Sequence, residues 1–217
     1  RESSVETGNT ITINAAENAT ANVTISDVNI NTSGKSGKSE AAVSTNGKGN
    51  VNIELDGTNT LKSGRNHAGL EKNSDGNQGK LTITDENENG KLIATGGNGA
   101  AGIGGGLYAG GNDITIIGGE ITATGGDYGA GIGGGNHGEG KNITITGGTV
   151  NATGTDGGAG IGGGGAAASD IELWGSNGGN GEDITINGGK VNASGAYGGA
   201  GIGGGYWGRG RNITVSG

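Results

Sequence analysis

Six aromatic side chains and two histidines are the best candidates for holding a ligand in this 217-residue chain, and they are not scattered. Tyr128 and Tyr197 lie just upstream of glycine-rich runs, while Tyr108, Tyr206, Trp207 and His137 lie just downstream of them. Trp174 stands in a longer stretch on the same side, with Asp170 and Glu172 beside it, and Asp156 precedes another run. Aromatic rings bordering a polar platform suit sugars, whose C–H faces stack while their hydroxyls meet carboxylates, amides and main-chain groups. The candidate ligand-binding set is therefore Trp174, Asp170, Glu172, Asp156, Tyr197, Trp207, Tyr206, Tyr128 and His137. Asp156, Asp170 and Glu172 could also hold Ca2+ together with glycine-loop carbonyls, since that cation takes oxygen ligands. Solvated loop carboxylates are the competing reading.

Catalysis has little support. His67 and His137 are far apart in the chain, and no nucleophile–base pair is apparent. The strands described below present Thr, Asn and Gly, not the clustered carboxylates that polysaccharide hydrolysis uses. The glycine runs lack the strand–loop–helix setting of a dinucleotide site. A net charge of −8 argues against nucleic acid and anionic membranes, which call for a basic footprint. No apolar run approaches the roughly 20 residues of a spanning helix. We expect a monomeric, non-enzymatic module.

The elements that must position these residues follow from repetition. The run Gly-Ala-Gly-Ile-Gly-Gly-Gly at 129–135 recurs at 158–164 and 199–205, with a near copy at 100–106. Fixed-period self-similarity marks one structural unit per repeat, each burying its apolar face on its neighbours. There are 57 glycines and no Pro, Cys, Met or Phe, a composition too small-sided for a compact core but adequate for a thin, stacked one. After each run comes an apolar–polar–apolar triplet: Ile114-Thr115-Ile116, Ile143-Thr144-Ile145, Ile184-Thr185-Ile186 and Ile213-Thr214-Val215. Such alternation is the period of a half-buried strand. Looser versions stand at Val23-Thr24-Ile25, Val51-Asn52-Ile53 and Leu81-Thr82-Ile83. A turn and a second strand follow, as in Val150-Asn151-Ala152-Thr153, and the glycine run supplies the third.

Three short strands per repeat predict an all-β fold: a right-handed parallel β-helix of about seven coils of roughly 29 residues, rising about 4.8 Å per coil. Stacking makes a demand on charge, because like charges facing each other at strand spacing repel. One column reads Asp113, Asn142, Asp183, Asn212, and the next reads Asn112, Lys141, Glu182, Arg211. Carboxylates are separated by amides in the first and signs alternate in the second, as a stack requires. We expect a single solenoid domain over 1–217, with irregular coils over 1–79 and regular ones over 80–217. Residues 35–48 are read as a loop region. The start and end of the chain read as a segment of a longer protein. Two places break the period: 84–91, and an insertion of 12 residues within 165–181 that carries Trp174. Insertions in repeat proteins become loops on one face, often the binding face. The outward side of the glycine strand (Gly102 and Gly104, Gly131 and Gly133, Gly160 and Gly162, Gly201 and Gly203) is expected to be a bare platform or, equally, a requirement of tight corners.

The repeat Asn142-Ile143-Thr144-Ile145-Thr146-Gly147-Gly148-Thr149-Val150-Asn151-Ala152-Thr153-Gly154, followed by the run at 158–164, resembles the glycine-rich β-helix domains of large cell-wall proteins of Gram-positive, often gut-dwelling, bacteria. The resemblance implies an extracellular, cell-surface module. It also implies a carbohydrate-binding or adhesin role toward host glycans of mucin or blood-group type, or toward dietary polysaccharide. It assigns no individual binding residue. Two other readings stand beside it. A Thr stripe at Thr82, Thr115, Thr144, Thr185 and Thr214 is similar to the ranks of ice-binding β-helices, and a regular solenoid also serves as a passive stalk.

Overall fold

A computed structural model describes residues 5–34, 39–72, 79–167 and 177–217. Alternating apolar and polar residues make short strands, and the strands wind into coils. The first coil holds β1 (Ile11–Ala15), β2 (Thr20–Ser26) and β3 (Asn29–Asn31), and the second holds β4 (Val43–Gly47), β5 (Asn50–Asp56) and β6 (Thr58–Lys62). The third holds β7 (Leu70–Glu71), β8 (Leu81–Thr84) and β9 (Lys91–Thr95), and the fourth β10 (Ile103–Gly104), β11 (Ile114–Ile116) and β12 (Glu120–Thr124). The fifth has β13 (Ile132–Gly133), β14 (Gly140–Ile145) and β15 (Thr149–Thr153), and the sixth β16 (Ile161–Gly162), β17 (Gly181–Ile186) and β18 (Lys190–Ser194). β19 (Ile202–Gly203) and β20 (Gly210–Val215) begin a seventh. Each coil gives one strand to each of three parallel sheets, with orders β1-β4-β7-β10-β13-β16-β19, β2-β5-β8-β11-β14-β17-β20 and β3-β6-β9-β12-β15-β18. The expected parallel β-solenoid is therefore present, with six complete coils and part of another. Among the described residues there is no helix.

The interior is a set of columns. Ile114, Ile143, Ile184 and Ile213 pair in register in the second sheet, and Ile103, Ile132, Ile161 and Ile202 do so in the first. Ile143 and Ile145 are fully buried, whereas Ile213 and Val215 in β20, which no described strand covers, are 37% and 65% exposed. That contrast measures what one neighbouring coil contributes. Full burial of an Ile or Val is worth about 1.5–3 kcal/mol, and most of it here comes from the coil stacked above or below.

The charge columns are also realised. Asn142 Nδ2 donates to Asp113 Oδ1 at 3.0 Å, and Asn212 Nδ2 to Asp183 Oδ1 at 2.9 Å. Lys141 Nζ lies 3.8 Å from a Glu182 oxygen, and Arg211 lies at the same distance on the other side. Two expectations need correction. Val23 stacks on Ile53, not Val51, because Ala21 to Ile25 alternates over five residues and a two-residue shift keeps the same side chains inside. The stretch read as a loop over 35–48 contains β4, with Val43 and Thr45 buried; its polar composition hid a strand that exposes Asn46.

The first sheet is narrow, with two-residue strands in its middle coils. A Cβ at Gly133 (φ 130°) would lie 2.0 Å from the carbonyl oxygen of Gly162, inside any allowed contact. Gly102, Gly104, Gly131, Gly133, Gly160, Gly162 and Gly203 are all buried. The outward side of the glycine strand is therefore not a free platform. Glycine is there because neighbouring backbones come too close for a side chain.

In the third coil the equivalent of Gly104 is Glu71, which is buried. Its carboxylate reaches back four residues, accepting the Ala68 N–H at 3.0 Å and sitting 2.9 Å from His67 Nδ1. This hydrogen bond to Glu71 holds the His67 pKa above its ordinary value of 6.5, against the opposing effect of burial and with electrostatic help from Glu71 and Glu40.

Two predictions follow from this packing. Ile132→Asp puts an unpaired carboxylate into the thin interior and is expected to cost about 4 kcal/mol or more, whereas Thr144→Ser on the outer face should change stability by less than about 0.5 kcal/mol. Chemical denaturation checks both, and equal losses would refute the inside and outside assignment. For His67, the folded pKa is raised. The stabilisation is therefore fully present below the unfolded value of 6.5 and is lost as pH rises through the folded one. The melting temperature should fall across that window relative to His67→Gln; parallel pH profiles would contradict it.

Candidate functional site

Two turns flank each glycine strand, and the candidate residues sit on them. Upstream, four-residue turns close at 126–129, 155–158 and 196–199, with the last N–H donating to the first carbonyl at 2.6, 2.7 and 2.9 Å. Downstream, turns close at 106–109, 135–138 and 205–208 at 3.0, 2.7 and 2.7 Å. Both kinds place a residue in the left-handed region. Tyr128 (φ 62°), Tyr197 (45°), Tyr108 (60°), His137 (59°) and Trp207 (63°) are all there, as is Asp156 (44°). Bulky side chains rarely occupy this region, and such positions gather at ligand clamps. Gly99, Gly157 and Gly198 occupy the place in their turns that Tyr128 takes in its own, so an aromatic replaces the residue that costs least.

The two sets of turns are tied to each other across coils. Leu107 N–H donates to Asn66 O (2.9 Å), Asn136 N–H to Gly99 O (2.9 Å), Gly165 N–H to Tyr128 O (2.7 Å) and Tyr206 N–H to Gly157 O (2.7 Å). Each downstream turn thus folds back onto the upstream turn of the preceding coil, and together they cover the glycine strand.

This folding brings four of the nine candidates together. Tyr128, Asp156, Tyr197 and Tyr206, with Ala166, line one open cleft of about 470 Å³. Tyr206 lies against the backbone of two upstream turns, where a Cβ at Gly198 would meet its ring at 2.7 Å and one at Gly157 would meet its Cβ at 2.9 Å. Tyr197 stands 82% exposed at the rim. No side-chain hydrogen bond or ion pair engages Asp156 or the three tyrosine hydroxyls among the described residues. Trp207 meets Tyr206 edge-on at 5.9 Å and is otherwise exposed, so it borders the cleft without lining it. His137 is not part of the cleft: its ring lies 5.8 Å from that of Tyr108 and its Nδ1 2.9 Å from the Asn177 carbonyl oxygen.

Trp174, Asp170 and Glu172 lie outside the described residues. The ends of their insertion are described. Gly179 N–H donates to Gly164 O at 2.8 Å, the bond that closes the downstream turn in other coils, so the extra residues are spliced into that turn next to Ala166. Among the described residues, no three His, Cys, Asp or Glu side chains gather closely enough to hold a metal. Ala166 was not a candidate, and an alanine carries no signal by which sequence could have found it.

A larger groove of about 680 Å³ lies where the second and third sheets meet, but apart from the exposed Glu88 its charged groups are engaged with its own walls. Lys91 Nζ is 2.8 Å from Glu120, and Asp85 Oδ1 accepts the N–H groups of Asn89 and Gly90. The tyrosine cleft keeps its polar groups available, which makes it the better site.

Comparison with known proteins agrees with the architecture. The chain finds no significant match among curated proteins, and none among solved structures. Four stretches, residues 88–107, 114–136, 143–165 and 184–206, match the family model described as a beta helix repeat, so the chain carries a parallel β-helix domain.

Proposed function

We propose that this β-helix is a non-catalytic glycan-binding module displayed on a bacterial cell surface, where it acts as an adhesin. One observation carries the reading: Tyr128, Tyr197, Tyr206 and Asp156 converge on a single cleft with their polar groups uncommitted among the described residues. Its volume falls within the roughly 300–1,000 Å³ of small-ligand sites. The coils that present Tyr128 and Tyr197 are two steps apart, or roughly 9–10 Å by strand spacing. That separation leaves room for a sugar ring touching an aromatic face at about 4 Å on each side. Asp156 and the phenol hydroxyls then meet sugar hydroxyls. The bacterial surface setting rests on the glycine-rich repeat, which resembles cell-wall β-helix domains.

A screen on a glycan array, run with Ca2+ and again with a chelator, tests this reading and the calcium expectation together. Binding is expected, and Tyr197→Ala should weaken it about five- to thirty-fold. Tyr108→Ala, outside the cleft, should leave it unchanged. No glycan bound, or equal loss in the two variants with melting temperatures intact, would overturn the assignment.

A second reading has its own observation. Thr82, Thr115, Thr144, Thr185 and Thr214 form one in-register column on the second sheet, as an ice-binding face requires. The adjacent rank is interrupted by Ile117 and Asn187, so the lattice is one rank wide. Thermal hysteresis abolished by Thr144→Tyr would favour ice. Neither hysteresis nor glycan binding would leave the stalk.

A further inference from the structure

The tyrosine cleft is uneven in charge. Among the described residues, Asp156 is the one charged side chain in its lining, no Lys or Arg contributes to it, and the remaining walls are three phenol rings and Ala166. The upstream turn one coil below adds Asp127, itself hydrogen-bonded by Asn98. The fold does not demand a carboxylate at position 156. A residue at φ 44° in a turn is served as well by Asn, whose left-handed preference is equal to that of Asp. Asn holds this left-handed conformation elsewhere in the chain, at Asn66 (φ 70°), Asn142 (55°) and Asn212 (50°). A negative charge free of partners among the described residues, set among aromatic faces, is the arrangement that attracts an organic ammonium: the carboxylate supplies a charge-assisted hydrogen bond and the ring faces supply cation–π attraction. An acidic sugar meets the opposite situation, a carboxylate with no cation to balance it, and like charges in an interface are strongly unfavourable.

Resting on the glycan reading of this same cleft, we propose that its preferred ligand is a saccharide carrying a free amino group, bound with the ammonium beside Asp156 and the sugar ring against Tyr128, Tyr197 and Tyr206. N-acetylation removes the charge and with it the preference. Uronic and sialic acid units are rejected.

The test is calorimetric titration of the full chain with a β-1,4-linked glucosamine tetrasaccharide, its fully N-acetylated counterpart, and a glucuronic-acid oligomer. It is run at about pH 6, where an amine of this kind is protonated. The amino form should bind roughly ten-fold more tightly than the acetylated form, and the acidic oligomer should not bind detectably. Asp156→Asn keeps the turn, as its melting temperature should show, and should bring the amino and acetylated forms to equal affinity. Higher salt should narrow the difference in the parent chain. Equal binding of the amino and acetylated forms by the parent, or a preference that survives Asp156→Asn, would overturn the amine proposal while leaving glycan binding in place. Absence of binding to all three, together with a blank glycan array, would overturn both.

Discussion

The structure depends on how closely the backbones of successive coils approach along the glycine strand. Between Gly104 and Gly133, and again between Gly133 and Gly162, the space a Cβ would fill is occupied by the carbonyl of the next coil. A solenoid with three ordinary sheets needs side chains outside every strand. Here one side of the cross-section is reduced to Ile inside and bare backbone outside. The flanking turns take up the room so released and fold back over the strand, bonding from one coil to the turn of the coil before it. Those bonds satisfy main-chain groups that would otherwise be buried without partners.

The same constraint creates the candidate site. Because the upstream and downstream turns meet over the glycine strand, residues distant in sequence arrive at one place on the surface. Tyr128, Asp156, Tyr197 and Tyr206 come from coils that are successive in the stack, and only the turns bring them together. Several aromatic residues on these turns adopt a left-handed backbone that glycine would occupy without strain. The cost is borne by a scaffold whose columns of Ile and Leu are otherwise regular, and strained residues persist where the surroundings over-determine them.

Much of the fold was legible in the sequence. The glycine period and the Ile-Thr-Ile triplets located the strands, and the alternating Asp/Asn and Lys/Glu/Arg columns required in-register stacking, which the Asn142–Asp113 and Lys141–Glu182 contacts display. The first coils were less legible. Ala21 to Ile25 alternates for five residues, so a shift by two keeps the same face inward and no local signal fixes the register. Sequence leaves the glycine strand open between a bare platform and a requirement of tight corners, because periodicity shows which way a residue points but not what folds over it; the close backbone approach decides for the second. The cleft itself was half legible. Tyr128 stands in a turn position held elsewhere by Gly99, Gly157 and Gly198, and an aromatic in a glycine column is a signal repeat alignment can read. Ala166 has none, and His137 was grouped with the tyrosines on chain proximity although its turn faces Tyr108.

The central claim, that close backbone approach at the glycine strand organises both fold and site, is tested most directly by thermal unfolding of Gly133→Ala beside Gly34→Ala. A methyl at Gly133 meets the Gly162 carbonyl at 2.0 Å with φ at 130°, while one at Gly34 meets nothing within 4 Å. The account predicts that Gly133→Ala lowers the melting temperature by about 10 °C or more and that Gly34→Ala leaves it within about 2 °C. Equal and small shifts in the two variants would contradict it.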